Sequence, residues 1–481
     1  MVRSSGFRCF YRQATCLVIV GWWGISGCGG TSDLTDDTEG VRNLFESGIP
    51  QLEIQAGPAW EGNSWGIALT VVYTRSTLVF ARDPEGYQAT SQISVQLIDR
   101  EDGRLAAERI ENDTVLVGLY HDTQDRATML REMFLPARPG SYLLKVSLQD
   151  GLAGKRSVAQ RSVAIPDFLK DATTIGLLSL RMGTRDGDHL PVPSFRVAAD
   201  YDSLRFVVDV SSASPETTVI LHLAMLRCLS DTTIALPPHG TLPIGREALV
   251  YQGVDQSLCD TVLLKSKLGK TANHWTRVSF SLPQLAEGVY RLEITLADNG
   301  EEEDSRDVSF QSRDLLVFCP GFPRPSTIDE LIRPLVYLAS EEEWDSLRTE
   351  FAPAERQRRF EAFWLSGAEN RQRARDVIKQ YYSRVEEANR MFSSHKEGWK
   401  TDRGMVYIIC GPPTSSERMM NNETWYYPQD GRDAANAFRF HSVSYAYGGG
   451  AHYNNIVLQR SEVYRQWWEK LVWRWKNGIV Q

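Results

Sequence analysis

The chain has 481 residues, with 53 Lys and Arg against 61 Asp and Glu, for a formal net charge of −8. That acidic balance, without a dense basic run, excludes the positive stripe that a nucleic-acid partner requires. The arginines between Arg356 and Arg375 alternate with acids, as on a solvated helix face.

Arg3, Arg8 and Arg12, with no acid among them, precede an apolar run from Ala14 to Ser26. The run is too short to cross the roughly 30 Å hydrocarbon core as a helix, and Gly21, Gly24 and Gly27 weaken it further, so residues 1–27 read as a removed export signal. The order Ile25-Ser26-Gly27-Cys28 resembles the lipobox of bacterial lipoprotein precursors. That resemblance implies acylation of Cys28, and at about 0.8 kcal/mol per buried methylene several chains anchor the body to a bilayer without spanning it. Without residues 1–27 the balance becomes 50 basic against 61 acidic residues, a charge of −11. Residues 28–48 are polar and acidic and suit a tether. Gly29 stands where aspartate favours inner-membrane retention in such lipoproteins. The expected location is therefore the cell envelope, at the outer membrane facing the periplasm, with surface display as the alternative.

Two β-rich units are expected next, at 49–168 and 172–316. Gly140-Ser141-Tyr142-Leu143-Leu144-Lys145-Val146-Ser147-Leu148 is echoed 148 residues later by Gly288-Val289-Tyr290-Arg291-Leu292-Glu293-Ile294-Thr295-Leu296. Period-two alternation puts Tyr142, Leu144, Val146 and Leu148 on one face, as it does Tyr290, Leu292, Ile294 and Leu296. Asp150-Gly151 and Asp298-Asn299-Gly300 then turn each strand back, toward Val158–Ile165 and Val308–Phe310. The Gly-x-Tyr entry resembles the tyrosine corner of immunoglobulin-like domains, which implies two all-β sandwiches. Further strands are expected at Gln51–Gln55, Ile67–Tyr73, Ile93–Leu97, Leu204–Val210 and Thr218–Met225, with a hinge at Pro166–Thr174. Trp60 and Trp65 are candidates for an aromatic sugar platform. Of seven cysteines, four follow the anchor: Cys228, Cys259, Cys319 and Cys410. They allow three pairings; Cys228 with Cys259 falls within one unit, and buried free thiols are the alternative.

After the break Pro320-Gly321-Phe322-Pro323-Arg324-Pro325 the pattern turns helical. Ser340-Glu341-Glu342-Glu343 reads as a capping box. Asn370–Ser393 repeats apolar residues at three- and four-residue steps, from Val377 to Phe392. A last helix is expected over Glu462–Lys476, capped by Ser461, with Trp467 and Trp473 pointing away from its apolar face. Between these lies Gly398-Trp399-Lys400-Thr401-Asp402-Arg403-Gly404, followed by an expected strand Met405–Cys410 and the stop Gly411-Pro412-Pro413. Gly398 is expected to end the preceding helix in a left-handed conformation, and Asp402-Arg403-Gly404 to form a tight turn.

With the later Trp425 strand and the Phe438-Arg439-Phe440 strand, the segment 323–481 resembles the GWxTD-domain proteins of bacterial envelopes. The matching motif positions are Gly398, Trp399, Thr401, Asp402, Gly404, Gly411, Pro412 and Trp425. The resemblance implies an α+β domain with a helical first half and a small antiparallel sheet, carried behind β-rich modules on an exported chain, and no established activity. The expected role is therefore structural or protein-binding: a lipoprotein held by the membrane, with a protein partner in the envelope, no nucleic acid and no cofactor. Catalytic residues are unknown. The alternative is a periplasmic enzyme acting on peptide or glycan, for which Asp402, Glu417 and His441 are the candidates; carbohydrate binding is a third reading. No metal site is expected: His441 and His452 lack a third ligand, Asp186-Gly187-Asp188 is incomplete as a calcium loop, and Gly448-Gly449-Gly450 follows no phosphate-loop order.

Overall fold

The computed structural model describes residues 52–479, except 62–63, 125–127, 166, 168–172, 184–188, 213, 241–253, 299–308, 350–351, 369, 420–421, 428–435 and 444–454. The expected signal, Cys28 and tether, most of the expected hinge, Asp186–Asp188, Gly448–Gly450 and His452 lie outside the described residues.

The first eight strands are β1 (Leu52–Glu61), β2 (Ser64–Thr74), β3 (Ala81–Asp83), β4 (Gly86–Asp99), β5 (Leu105–Val117), β6 (Thr128–Pro136), β7 (Gly140–Asp150) and β8 (Arg156–Ile165). They form one sheet in the order β1-β2-β6 and a second in the order β3-β4-β7-β8, with β5 also paired to β4. Alternate residues of both sheets, among them Ile67, Leu69 and Val71 of β2 and Leu144, Val146 and Leu148 of β7, share a single buried core.

Nine more strands follow: β9 (Thr174–Gly183), β10 (His189–Pro191), β11 (Arg196–Ala198), β12 (Leu204–Ser211), β13 (Thr218–Ser230), β14 (Val254–Lys270), β15 (Trp275–Leu282), β16 (Gly288–Asp298) and β17 (Phe310–Phe318). Their sheets run β10-β9-β12-β15 and β11-β17-β16-β13-β14, again around one core. Without the short additions β3, β10 and β11, the two units have the same plan. β1, β2 and β6 correspond to β9, β12 and β15, and the strands β5-β4-β7-β8 correspond to β14-β13-β16-β17. The 148-residue echo is thus one pair of corresponding strands in a duplicated architecture. In both copies the tyrosine hydroxyl reaches a carbonyl four residues upstream: Tyr142 Oη donates to Arg138 O at 2.8 Å and Tyr290 Oη to Ala286 O at 2.9 Å. The return strand of the second hairpin is β17, which includes Phe310; Val308 lies outside the described residues. Cys228 of β13 and Cys259 of β14 are joined by a disulfide, and Cys319 and Cys410 carry free thiols.

The C-terminal part is helical and then sheet. Its helices are Ile328–Ile332, Glu341–Arg348, Pro353–Leu365, Arg371–Phe392, Asp402–Cys410 and Arg465–Lys476. The Ser340 hydroxyl accepts from Glu343 N while the Glu343 side chain accepts from Ser340 N, a reciprocal cap. Strands β18 (Ser415–Met419), β19 (Asn422–Tyr427), β20 (Asn436–Val443) and β21 (Asn455–Leu458) make an antiparallel sheet in chain order. Trp425, Phe438 and Phe440 project from it into a core shared with Tyr381, Val385 and Phe392 of the long helix. Trp467, expected to face outward, instead packs against Tyr427 and Phe438, with ring centroids 5.6 and 5.3 Å away. Trp473 is 58% exposed. Among the described residues, no helix is long and apolar enough to cross a membrane.

The expected strand of the motif is also corrected. Met405–Cys410 is not a strand but part of the Asp402–Cys410 helix, in which every residue from Gly404 to Ile409 is buried. A short apolar run enclosed on all sides has no periodic polar face, so its pattern does not separate helix from strand.

Candidate functional site

The motif's chemistry starts from its two glycines. A Cβ on Gly398 would lie 1.8 Å from Ala388 O, and one on Gly404 would lie 1.8 Å from Gly398 O. Both positions are therefore places where backbone meets backbone. Gly398 does not adopt the left-handed conformation expected of it; the positive φ near the motif is at Gly411, φ +81°, which ends the Asp402–Cys410 helix.

Between the glycines, residues 398–400 form one 3-10 turn. Trp399 is buried, its amide donates to Asn389 Oδ1 at 3.0 Å, and its carbonyl accepts from Tyr337 Oη at 2.8 Å. Thr401 is the helix cap, its hydroxyl accepting from Gly404 N at 3.0 Å and donating to Gly398 O at 2.7 Å. Asp402 therefore occupies the first helical turn, not the tight turn expected from Asp402-Arg403-Gly404. Its side chain leaves the helix altogether: one oxygen accepts from Leu458 N at 2.7 Å and Arg460 Nη1 at 3.1 Å, the other from Arg460 Nη2 at 2.6 Å. Asp402 has no exposed surface and the Arg460 side chain is 4% exposed. This bidentate pair pins the helix start to the end of β21.

Glu417 and His441 lie elsewhere. Glu417 pairs with Thr424, Thr424 with Arg439, and His441 with Asn422, so Glu417, Arg439, His441 and Tyr426 share the outward face of the sheet. Glu417 and His441 are exposed, and Glu417 accepts from Tyr426 Oη at 2.9 Å. Trp425 occupies the inward face beside buried Glu423, which accepts its indole N–H at 2.5 Å. Pro412 is exposed at the helix end. The three candidate catalytic residues therefore do not converge.

Two clefts open elsewhere. One of about 700 Å³ lies where all three parts of the chain meet, with Glu53, Arg196 and Asn389 in its wall. The other, about 540 Å³, is lined by Leu236, Trp468 and Val472 among others. Neither is lined by Asp402, Glu417 or His441. Trp60 and Trp65 are half-buried and meet edge to face at 66°, which is not a flat sugar platform. Among the described residues, no group of three or more His, Cys, Asp or Glu is placed to hold a metal.

Several residues that sequence reasoning missed surround the motif. Arg460 is one. Lys396 is another: it is 1% exposed, its ammonium donates to Thr233 O at 2.6 Å, and burial pushes it down to about 8. His395 is also buried; desolvation, with Lys396 beside it, pushes it down to about 3, so it is neutral at physiological pH. The available signal was faint: a lone arginine at a strand end, and a His-Lys pair two residues before the motif's first glycine.

Residues 302–477 match the family model of the GWxTD domain. Residues 231–240 lie outside that match. No curated protein matches the chain. Among solved structures, red sea bream transglutaminase is 10% identical over 55% of this chain and 31% of its own, with a TM-score of 0.17. A Bacteroides uniformis β-glucuronidase is 12% identical over 51% of this chain and 26% of its own, at 0.22. The chain thus spans about a third or less of those neighbours, and likenesses this slight bear on neither fold nor activity.

Proposed function

We propose that this GWxTD-domain protein is a lipid-anchored envelope protein with a structural or protein-binding role rather than an enzyme. The observation that carries the reading is the fate of the motif's acid: Asp402 is sealed from solvent and fully engaged by Arg460 and Leu458 N. A carboxylate held so cannot reach a substrate proton, and the motif's other polar side chains are engaged as well: Thr401 with the backbone, Lys400 with Glu397 and Arg403 with Glu423. On this reading 49–168 and 172–316 are immunoglobulin-like sandwiches and 323–481 is the C-terminal domain. The repeated strand order and the paired tyrosine-to-carbonyl bonds support that assignment.

Acylated Cys28 and the tether at 28–48 hold these modules at the outer membrane, facing the periplasm, where the C-terminal domain meets an envelope partner. The test is chemical crosslinking in native envelopes followed by mass spectrometry of the recovered chain. The expected result is a Cys28 N-terminus bearing acyl groups, crosslinked reproducibly to one envelope protein. An unmodified Cys28 thiol, or an intact Met1, overturns the anchoring; repeated recovery without a partner overturns the binding role.

A further inference from the structure

After β13 the chain leaves its own sheet, and residues 231–238 lie against the C-terminal domain. From Asp231 to Pro238 five of its backbone groups are bonded there. Asp231 O meets His395 Nε2 at 3.1 Å, Thr233 O accepts from Lys396 Nζ at 2.6 Å, and Ala235 N donates to Lys400 O at 3.0 Å. Leu236 O accepts from Arg460 Nη2 at 3.1 Å, and Pro238 O accepts from Ser461 N at 3.0 Å. Ala235 is 4% exposed and belongs to the C-terminal core, with Ile234 packed against it.

We propose that the GWxTD motif and Arg460 form a socket that reads an extended backbone, occupied in this chain by the strap Asp231–Pro238, which ties the second β unit to the C-terminal domain. Two motif positions face the strap. Lys400, the variable position between Trp399 and Thr401, offers its carbonyl, which the 398–400 turn aims outward. Asp402 acts through Arg460: by holding both terminal nitrogens of the planar guanidinium, it fixes the fork so that Nη2 also reaches Leu236 O. Asp402 is thus a positioning residue.

Each of these five bonds uses a main-chain atom of the strap, and the only strap side chains in the core cluster are the apolar pair Ile234 and Ala235. Main-chain bonds supplying attachment while a few side-chain pockets set register is the mode by which folded domains bind extended peptides. The Pro237-Pro238 pair at the strap's end favours an extended chain before docking and lowers the ordering cost.

The inference deepens the binding role proposed above, but its test reads the strap alone and is independent of acylation and partner capture. Hydrogen exchange is measured on the full chain. Ala235→Pro removes the amide that meets Lys400, whereas Ala235→Gly keeps it and loses only a methyl. Ala235→Pro is expected to speed exchange at 395–401 and at Ser461 about ten- to hundredfold, and Ala235→Gly by less than tenfold, with β4 and β7 unaffected in both. Arg460→Lys, which keeps the charge beside Asp402 but loses the fork, is expected to speed exchange at Ala235 and Ser461. A synthetic peptide of residues 231–240 is expected to slow exchange again in the Ala235→Pro chain. Unchanged exchange with Ala235→Pro, equal effects of the proline and glycine variants, or no response to the peptide overturns the proposal.

Discussion

Removing the Asp402 carboxylate is the sharpest perturbation this protein offers. Asp402→Ala deletes three hydrogen bonds, at 2.6, 2.7 and 3.1 Å, and strands the Arg460 guanidinium at 4% exposure. Losing the bonds alone costs about 1 kcal/mol each, but a buried charge left without its partner is the larger effect, and breaking such a pair costs about 3 to 5 kcal/mol. Replacing both members by apolar residues of similar size removes the stranded charge, so Asp402→Leu with Arg460→Met is expected to lose less than Asp402→Ala alone. The assay is urea unfolding followed by tryptophan fluorescence, since Trp399 and Trp425 both report on this core. A multi-module chain need not unfold in one step, so proteolysis between 395 and 461 serves as the local readout. The expected coupling between the two positions is at least about 2 kcal/mol. Additive effects, or an Asp402→Ala chain within about 1 kcal/mol of the parent, refute a structural role for the acid.

Three further outcomes follow from the same contacts. Removing the Cys228–Cys259 bond, which closes a loop of 31 residues, is expected to lower the stability of the second β unit by about 3 to 4 kcal/mol, read as an earlier urea midpoint for that unit. Lys396 is held down at about 8 against 10.5 when exposed, so the unfolded chain binds more protons between those values. The parent's stability should therefore rise relative to Lys396→Met as pH climbs through that window, by something on the order of 3 kcal/mol, and a difference that stays flat would refute the burial argument. Tyr142→Phe and Tyr290→Phe each remove one hydroxyl-to-carbonyl bond at corresponding places in the duplicated units, and are expected to cost about 1 kcal/mol apiece in separate denaturation curves.

Much of the architecture was legible along the chain. Alternation from Tyr142 to Leu148 and from Tyr290 to Leu296 placed two strands and their inward faces, because in a half-buried strand the burial period is the side-chain period. The Ser340 cap and the long helix from Arg371 to Phe392 were equally readable, since both are written in local spacing. Where burial is complete the spacing falls silent: Met405 to Ile409 is apolar throughout and became helix, not strand. Gly398 and Gly404 were visible as glycines, but the reason for them, a backbone carbonyl within 1.8 Å of any Cβ, is a fact of packing between segments.

Sequence by itself thus determined the repeated strand, the capped helices and the motif that marks the C-terminal region, because each is set by contacts among near neighbours in the chain. Tertiary structure alone decided what the motif's acid does. Asp402 meets Arg460 58 residues later, and Arg460 meets Leu236 from a different module 224 residues before it. No local pattern encodes pairings at such separations: a carboxylate reads the same in a turn, a cleft or a core, and only the packing of helix, sheet and strap around Asp402 took it out of water and fixed its partner.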